Sequence, residues 1–288
     1  MAASAGVATT AAREGPLGAI RRYRQAIWRA GLSAGIAVAA LLVVIALGVY
    51  GLYDLAYALR ILPTLTRGFV ATLGLIAIVI PFGFLLGFSF GWGRTVHSSV
   101  VRWISTTYVE FFRSMPPVVL IVFSYLITLV VLAGNNRVDP TAVAPAVAVL
   151  ALAAHSGAYQ AEIVRAGVLS VPAGQREAAE ALGMSRLGVM FNVTLPQMFR
   201  ISLPALGNEF ASVIKDTSIL ATVSVLELTF QGVNLVSRLF QAGGNPDFLF
   251  VVWVEVAILY FVLTFAVSRT LLALEKRYRV PGLEAPQL

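Results

Sequence analysis

Two kinds of residue in this sequence could do chemistry. The first kind does not survive inspection. His155-Ser156-Gly157 has the residue types of a serine nucleophile beside a base, but adjacent residues on a helix point about 100° apart. Within an apolar segment, Ser and His more often hydrogen-bond to neighbouring helices. His97 falls in a polar loop, where solvation accounts for it. With 2 histidines, no cysteine and no His-Glu-x-x-His, the chain lacks metalloprotease ligands, thiolates and disulfides. It also lacks a G-x-x-x-x-G-K-[ST] loop, so a nucleotide would have to be bound elsewhere.

The second kind is charge set into apolar sequence. On a helix, Glu209, Ser212 and Asp216 fall at i, i+3 and i+7 and form one polar stripe, while Lys215 points away from Asp216. An ionised group at a bilayer centre costs at least about 3 kcal/mol, so these side chains must face a neighbouring helix, a watery path or the interface. They are candidates for a substrate pathway, with a structural network as the other reading. Glu255 is a further candidate for lining such a pathway.

A third feature is polar without being catalytic. The block 165–204 is charged and punctuated by Gly and Pro, yet it interrupts strongly apolar sequence, so it is expected in water against something it touches. Pro172 and Gly174 end the incoming helix, and Gln175 to Leu182 are strong helix formers with Gly183 at a left-handed C-cap position. Ser185 can cap a second short helix, expected to stop before Pro196. The spacing predicts that Ala178, Ala179 and Leu182 share a face open to close approach by another protein. Glu177 and Glu180 lie beside it, where the helix dipole favours acids.

The elements that must hold these residues are membrane helices. The chain is 58% hydrophobic and 12% charged, with a mean hydropathy of +0.84, which sets it apart from soluble domains. About 20 helical residues cross a hydrocarbon core, and 30–53, 68–93, 114–136 and 140–161 run that far without charge. The segments 206–230 and 248–268 are read as spans despite their charges. The expected architecture is all-α with about six transmembrane helices. An outer loop is expected from Asp54 to Thr64. Thr95 to Arg113 suits an interfacial helix or the start of a span. Pro116-Pro117 opens the third span, where missing N–H donors are tolerated. Glycines of the second span permit close helix approach, and the Phe-rich runs 82–90 and 240–265 are read as packing or lipid-facing. Residues 1–18 read as a disordered tail, and 30–53 as a retained helix rather than a cleaved signal.

Charge gives the orientation. Six spans put both termini on one side, where sixteen Lys and Arg residues fall, among them Arg21, Arg94, Arg165, Arg186 and Arg277, against Arg60, Arg67, Arg137 and Arg238 on the other. Cytoplasmic loops carry the positive excess, so both termini are expected in the cytoplasm. The net charge of +7 is then a topology signal and requires no nucleic acid.

The spacing Glu177-Ala178-Ala179, three residues, Gly183, nine residues, Val193, one residue, Leu195-Pro196 resembles the EAA loop of inner-membrane permease subunits of bacterial ABC importers, with Val193 where Ile is usual. Ala158-Tyr159-Gln160-Ala161-Glu162-Ile163-Val164-Arg165, Ser170-Val171-Pro172-Ala173-Gly174-Gln175 and Lys215-Asp216-Thr217-Ser218 are similar to the polar amino-acid uptake branch. So is Tyr108-Val109-Glu110-Phe111-Phe112-Arg113, although Ser114-Met115-Pro116-Pro117 departs from the usual Gly-Thr-Pro. The resemblance spans 64–275 and implies a type I permease core of five helices, to which 30–53 adds one, with tails at 1–29 and 276–288 and a coupling loop at 172–204.

The resemblance implies a transporter without catalytic residues of its own. A second permease subunit, alike or homologous, completes the pathway through the bilayer. A cytoplasmic ATPase dimer binds ATP and Mg, and an external binding protein delivers a small polar solute. Glu177, Ala178, Ala179, Gly183, Leu195 and Pro196 would couple the permease to the ATPase. A permease for an opine or ectoine is the alternative within that class. A proton- or ion-coupled secondary transporter lies outside it and leaves the docking loop unexplained.

Overall fold

The structure is a computed structural model that describes residues 53–134 and 137–278, with Gly35 and Leu42 before them. The expected first span, 30–53, lies outside the described residues apart from Gly35, Leu42 and Tyr53. The chain divides into two compact units, Met1–Leu55 and Ala56–Leu288. The second is built of helices: α1 Leu55–Gly93, α2 Ser99–Ser114, α3 Pro117–Leu132, α4 Pro140–Leu169, α5 Ala173–Ala181, α6 Arg186–Val189, a π-helical turn Met190–Thr194, α7 Leu195–Asp216, a 3-10 turn Thr217–Val223, α8 Leu228–Gln241 and α9 Phe248–Tyr278. Among the described residues, α1, α4 and α9 are long and apolar enough to cross a membrane. Two bent pairs bring the number to five if each is one span.

Where the structure departs from expectation, packing or proline explains it. Residues 55–64 form helix rather than an outer loop, so the expected boundary at 64 falls inside α1. Pro63 forfeits one hydrogen bond to the preceding turn, but Ala58, Ile61 and Leu65 are all buried and their packing holds the helix. The third span is shorter than expected, because α3 begins at Pro117 and turns 102° from α2. The segment 206–230 is not one helix. α7 ends at Asp216, a 3-10 turn follows, Ser224 takes a left-handed φ of 61°, and α8 leaves at 44° to the preceding helical run.

One apolar core joins α1, α3, α4, α7 and the 3-10 turn through Val79, Ile121, Leu152, Val213 and Leu220. A second joins α1, α7 and α9 through Ile76, Ile214 and Leu263. α1 meets α4 along a seam of small residues. A Cβ on Gly87 would sit 3.0 Å from the Gly157 carbonyl oxygen, and one on Gly91 would lie 2.8 Å from Val164 Cβ and 3.0 Å from Ala161 Cα. At the start of α4, Asp139 accepts from the Thr141 N–H at 2.9 Å and from its hydroxyl at 2.7 Å. These hydrogen bonds, the hydroxyl's first, hold its carboxyl below the ordinary range.

Candidate functional site

The block 172–204 is a helix, a turn and a helical run, with caps at the end of α5 and the start of α6. Pro172 occupies the N-cap of α5. At the other end Gly183 takes φ +85°, donating its N–H to Glu180 O at 2.9 Å while Met184 N–H reaches Ala179 O at 3.1 Å. That pair of bonds is a Schellman motif, which favours glycine at this place. Ser185 then caps α6 by accepting from Gly188 N–H at 3.2 Å. Pro196 does not end the second helix. Leu195 donates to Met190 O across a π turn, and this wider ring is where the ladder absorbs the missing Pro196 N–H. The chain runs on without interruption into α7.

The turn fixes which side chains face out. Ala179 is only 6% exposed and points into the protein, so it does not share an outer face with Ala178 and Leu182. Glu177, Ala178 and Glu180 are exposed, Leu195 is half-buried and Pro196 is exposed. Three large apolar side chains also stand in the open: Leu182 at 85% exposure, Leu187 at 65% and Phe191 at 60%. Leu187 and Phe191 are four residues apart, a spacing visible in the sequence but overlooked beside the acidic and small residues. Val164, Val168 and Met198 form a small core with Trp92 and Leu195, and the Gln197 amide hydrogen-bonds to Gln175. Loop, end of α4 and start of α7 thus pack as one block.

The charged residues of the apolar segments separate. Ser156 donates to Glu209 at 2.8 Å and receives the Gln160 amide at 3.0 Å, a polar network between α4 and α7. His155 turns the other way, its Nδ1 lying 2.9 Å from Phe112 O. Asp216 is half-buried at the end of α7. Ser212 and Glu255 are half-buried on α7 and α9. The structure therefore joins Glu209 to Ser156 and Gln160 and places Glu255 on a different helix from the stripe.

Two polar constellations were missed in the sequence. Glu227, fully buried, caps α8 by accepting from Phe230 N–H at 2.7 Å and Thr229 N–H at 2.9 Å, and it receives the Tyr260 hydroxyl at 2.6 Å. Glu-x-Thr ahead of an apolar run was its only local signal. The second gathers Arg94, Glu110, Arg113, Glu162 and Arg165 from α2, α4 and the residue after α1. Arg94 bonds Glu162 at 2.5 Å and lies 3.6 Å from Glu110. Arg165 bonds the other oxygen of Glu162, and Arg113 lies 3.9 Å away. Among the aromatic residues, Phe88 stacks on Phe199, and Phe84 and Trp92 lie tilted against that pair. No cluster among the described residues could hold a metal ion.

An all-helical membrane core with a partly apolar loop set between two of its long helices is the architecture of a transport permease. The chain belongs to the binding-protein-dependent transport system inner membrane components, the family whose profile matches residues 79–280. It is 35% identical over 215 residues to the L-cystine transport system permease protein TcyB of Bacillus subtilis, covering 75% of this chain and 86% of that one. It is 34% identical over 219 residues to the glutamine transport system permease protein GlnP of Escherichia coli K12, covering 76% and 94%. A crystal structure of an amino acid ABC transporter with histidines superposes with a TM-score of 0.67 at 31% identity, over 78% of this chain and 99% of that one.

Proposed function

We propose that this chain is the membrane permease of an ATP-driven importer for a polar amino acid, lying in a bacterial inner membrane with both termini in the cytoplasm. The observation that carries the proposal is the loop 172–204. Its turn is fixed by the hydrogen bonds around Gly183 and Ser185, Leu195 and Met198 near its end pack with Val164 and Val168 of α4, and its outer face presents Leu182, Leu187 and Phe191 to solvent. An apolar projection of this kind suits a groove in another protein. A cytoplasmic ATPase dimer that binds ATP and Mg is the partner that supplies energy, since the sequence has no G-x-x-x-x-G-K-[ST] phosphate loop.

In this reading Glu177 makes polar contacts with the ATPase, Ala178 permits close approach, and Gly183 sets the turn. Ala179 anchors α5 from within, while Leu195 and Pro196 join the loop to α7. A second permease subunit completes the path, and an external binding protein delivers the solute. Glu209, Ser212, Asp216 and Glu255 are the proposed pathway residues, Glu209 held in place by Ser156. The amino-acid substrate is supported by the named substrates of the relatives.

The test is co-expression with the ATPase and binding protein, purification, and reconstitution into vesicles. Uptake is then measured over a panel of labelled amino acids with and without ATP. The expected result is ATP-dependent import of at least one, with loss of ATPase co-purification for Leu182→Asp. No co-purified ATPase with the wild-type chain, or import driven by an ion gradient alone, would refute the proposal.

A further inference from the structure

The ion cluster around Glu162 is not explained by docking or by a pathway, and its placement is specific. One carboxylate uses both oxygens on guanidinium groups from three elements. Arg165 on α4 takes Oε1, and Arg94, just past α1, takes Oε2 at 2.5 Å. Arg113, near the end of α2, stands 3.9 Å from the same Oε2, its guanidinium over the Tyr159 ring at 5.3 Å. Glu110 on α2 lies 3.6 Å from Arg94. The Arg94 side chain is 13% exposed and the Glu162 side chain 29%. This is deeper than the freely solvated surface pairs that contribute almost nothing.

The surroundings say what such a pair can do. From Glu162, α4 runs unbroken to Leu169 and the chain enters α5 at Ala173. On its far side, Ser202 Oγ reaches Ile163 O at 3.4 Å, and a Cβ on Gly167 would lie 3.0 Å from Met198 Cγ. The end of α4 must therefore move with the loop and the start of α7. Towards α1 the contact is also close. Gly83, Gly87 and Gly91 lie in close contact with the backbone at Ala153, Gly157 and Ala161 and with the Gln160 and Val164 side chains, so α1 and α4 are held together along the seam and α1 ends just beyond it, at Gly93. The Arg94–Glu162 pair crosses that seam at its end. Arg113 is close enough to take the same oxygen if Arg94 is drawn away.

We propose that Glu162 is a positioning residue for transport, the ion-pair pivot through which displacement of the loop 172–204 is passed to α1 and α2 by exchange of its Arg94 and Arg113 partners. This rests on the functional reading above, in which the loop is the driven element. A static staple would hold the same helices together without being used in each cycle. The two differ in the solute moved per ATP hydrolysed.

The experiment uses the reconstituted transporter with its ATPase and binding protein. Uptake and ATP hydrolysis are measured together for wild type, Glu162→Gln, Arg94→Gln, their double variant and Glu162→Asp, alongside the yield of assembled complex. The expected result is a fall of about tenfold or more in solute per ATP for each Gln variant. The double variant should be no worse than Glu162→Gln, and Glu162→Asp should recover much of the ratio. A ratio within about twofold of wild type in both single variants overturns the proposal. So does a loss of uptake that only tracks loss of assembled complex. If the wild-type complex imports no amino acid, the functional reading fails and this one with it. If wild type imports and the ratio is untouched, the pivot alone is refuted.

Discussion

Adding one methyl group to α1 should have opposite effects at two glycines of the same helix. At Gly74 nothing lies within 4 Å of an added Cβ, so Gly74→Ala keeps only the relief of glycine's backbone entropy, a gain of about 0.5–1 kcal/mol. At Gly91 the same Cβ would meet the Ala161 carbonyl oxygen in hard overlap, with Ala161 Cα at 3.0 Å and Val164 Cβ at 2.8 Å. These are mostly backbone atoms, which cannot rotate aside as the end of a long side chain can. Overpacking of this kind costs about 1–3 kcal/mol, and a backbone obstacle puts Gly91→Ala near the upper end. The propensity gain offsets part of it and leaves a net loss of about 1–2 kcal/mol. The two variants should therefore differ by about 2–3 kcal/mol, or roughly 4–12 °C in midpoint for a chain of this size. Thermal unfolding of both purified complexes, followed by tryptophan fluorescence, measures the difference. The same displacement would stretch the Arg94–Glu162 pair one turn beyond, so transport should fall in Gly91→Ala and not in Gly74→Ala. Equal melting of the two variants, or higher melting of Gly91→Ala, would show that the α1–α4 seam is not the close contact described.

Gly183→Val should unravel the turn after α5. A β-branched residue at φ +85° costs at least about 1–2 kcal/mol, so the Gly183 and Met184 amides should exchange roughly tenfold faster in hydrogen exchange; Gly183→Asn should stay near wild type, and equal protection in Val would refute the left-handed turn. Glu227→Ala should cost about 2–4 kcal/mol, from lost capping of α8 and from the Tyr260 hydroxyl left without its 2.6 Å acceptor. Glu227→Gln keeps an acceptor there and should cost less than half as much in thermal unfolding, whereas equal melting of the two would sink the capping role.

What could be read from the sequence was what short-range geometry decides. Pro172, Gly183 and Ser185 act on backbone groups within a few residues of themselves, so the turn of the loop was legible before any packing was known. Pro196 was not, because a proline ends a helix or is absorbed in a π turn according to whether residues beyond it have a core to reach. Met198, Ser202 and Leu206 do, all of them buried. The direction of Ala179 was hidden for the same reason, since two adjacent alanines, Ala178 and Ala179, carry no mark of which one faces inward. Asp54 to Thr64 was expected to be an outer loop, whereas Ile61 and Leu65 are buried and hold the segment from 55 in helix. Glu162 and Arg94 are separated by 68 residues, and only the crossing of α1 on α4 brings them together.

The stripe at Glu209, Ser212 and Asp216 shows how far periodicity alone can carry a reading. The helical spacing placed the three on one face, yet α7 ends at Asp216 and the chain then narrows into a 3-10 turn. Glu209 is fixed from outside the stripe, by a hydroxyl on α4 that is itself held by Gln160. A carboxylate already anchored by a neutral donor keeps most of its accepting capacity for something else. A carboxylate fully enclosed by partners does not, and Glu227, with two amide donors and a buried phenol, is of that second kind. The difference in their partners leaves Glu209 with accepting capacity unused by Ser156, whereas Glu227 braces the bend between α7 and α8. On the same ground, Glu162, with three guanidinium groups competing for two oxygens, is built for exchange of partners.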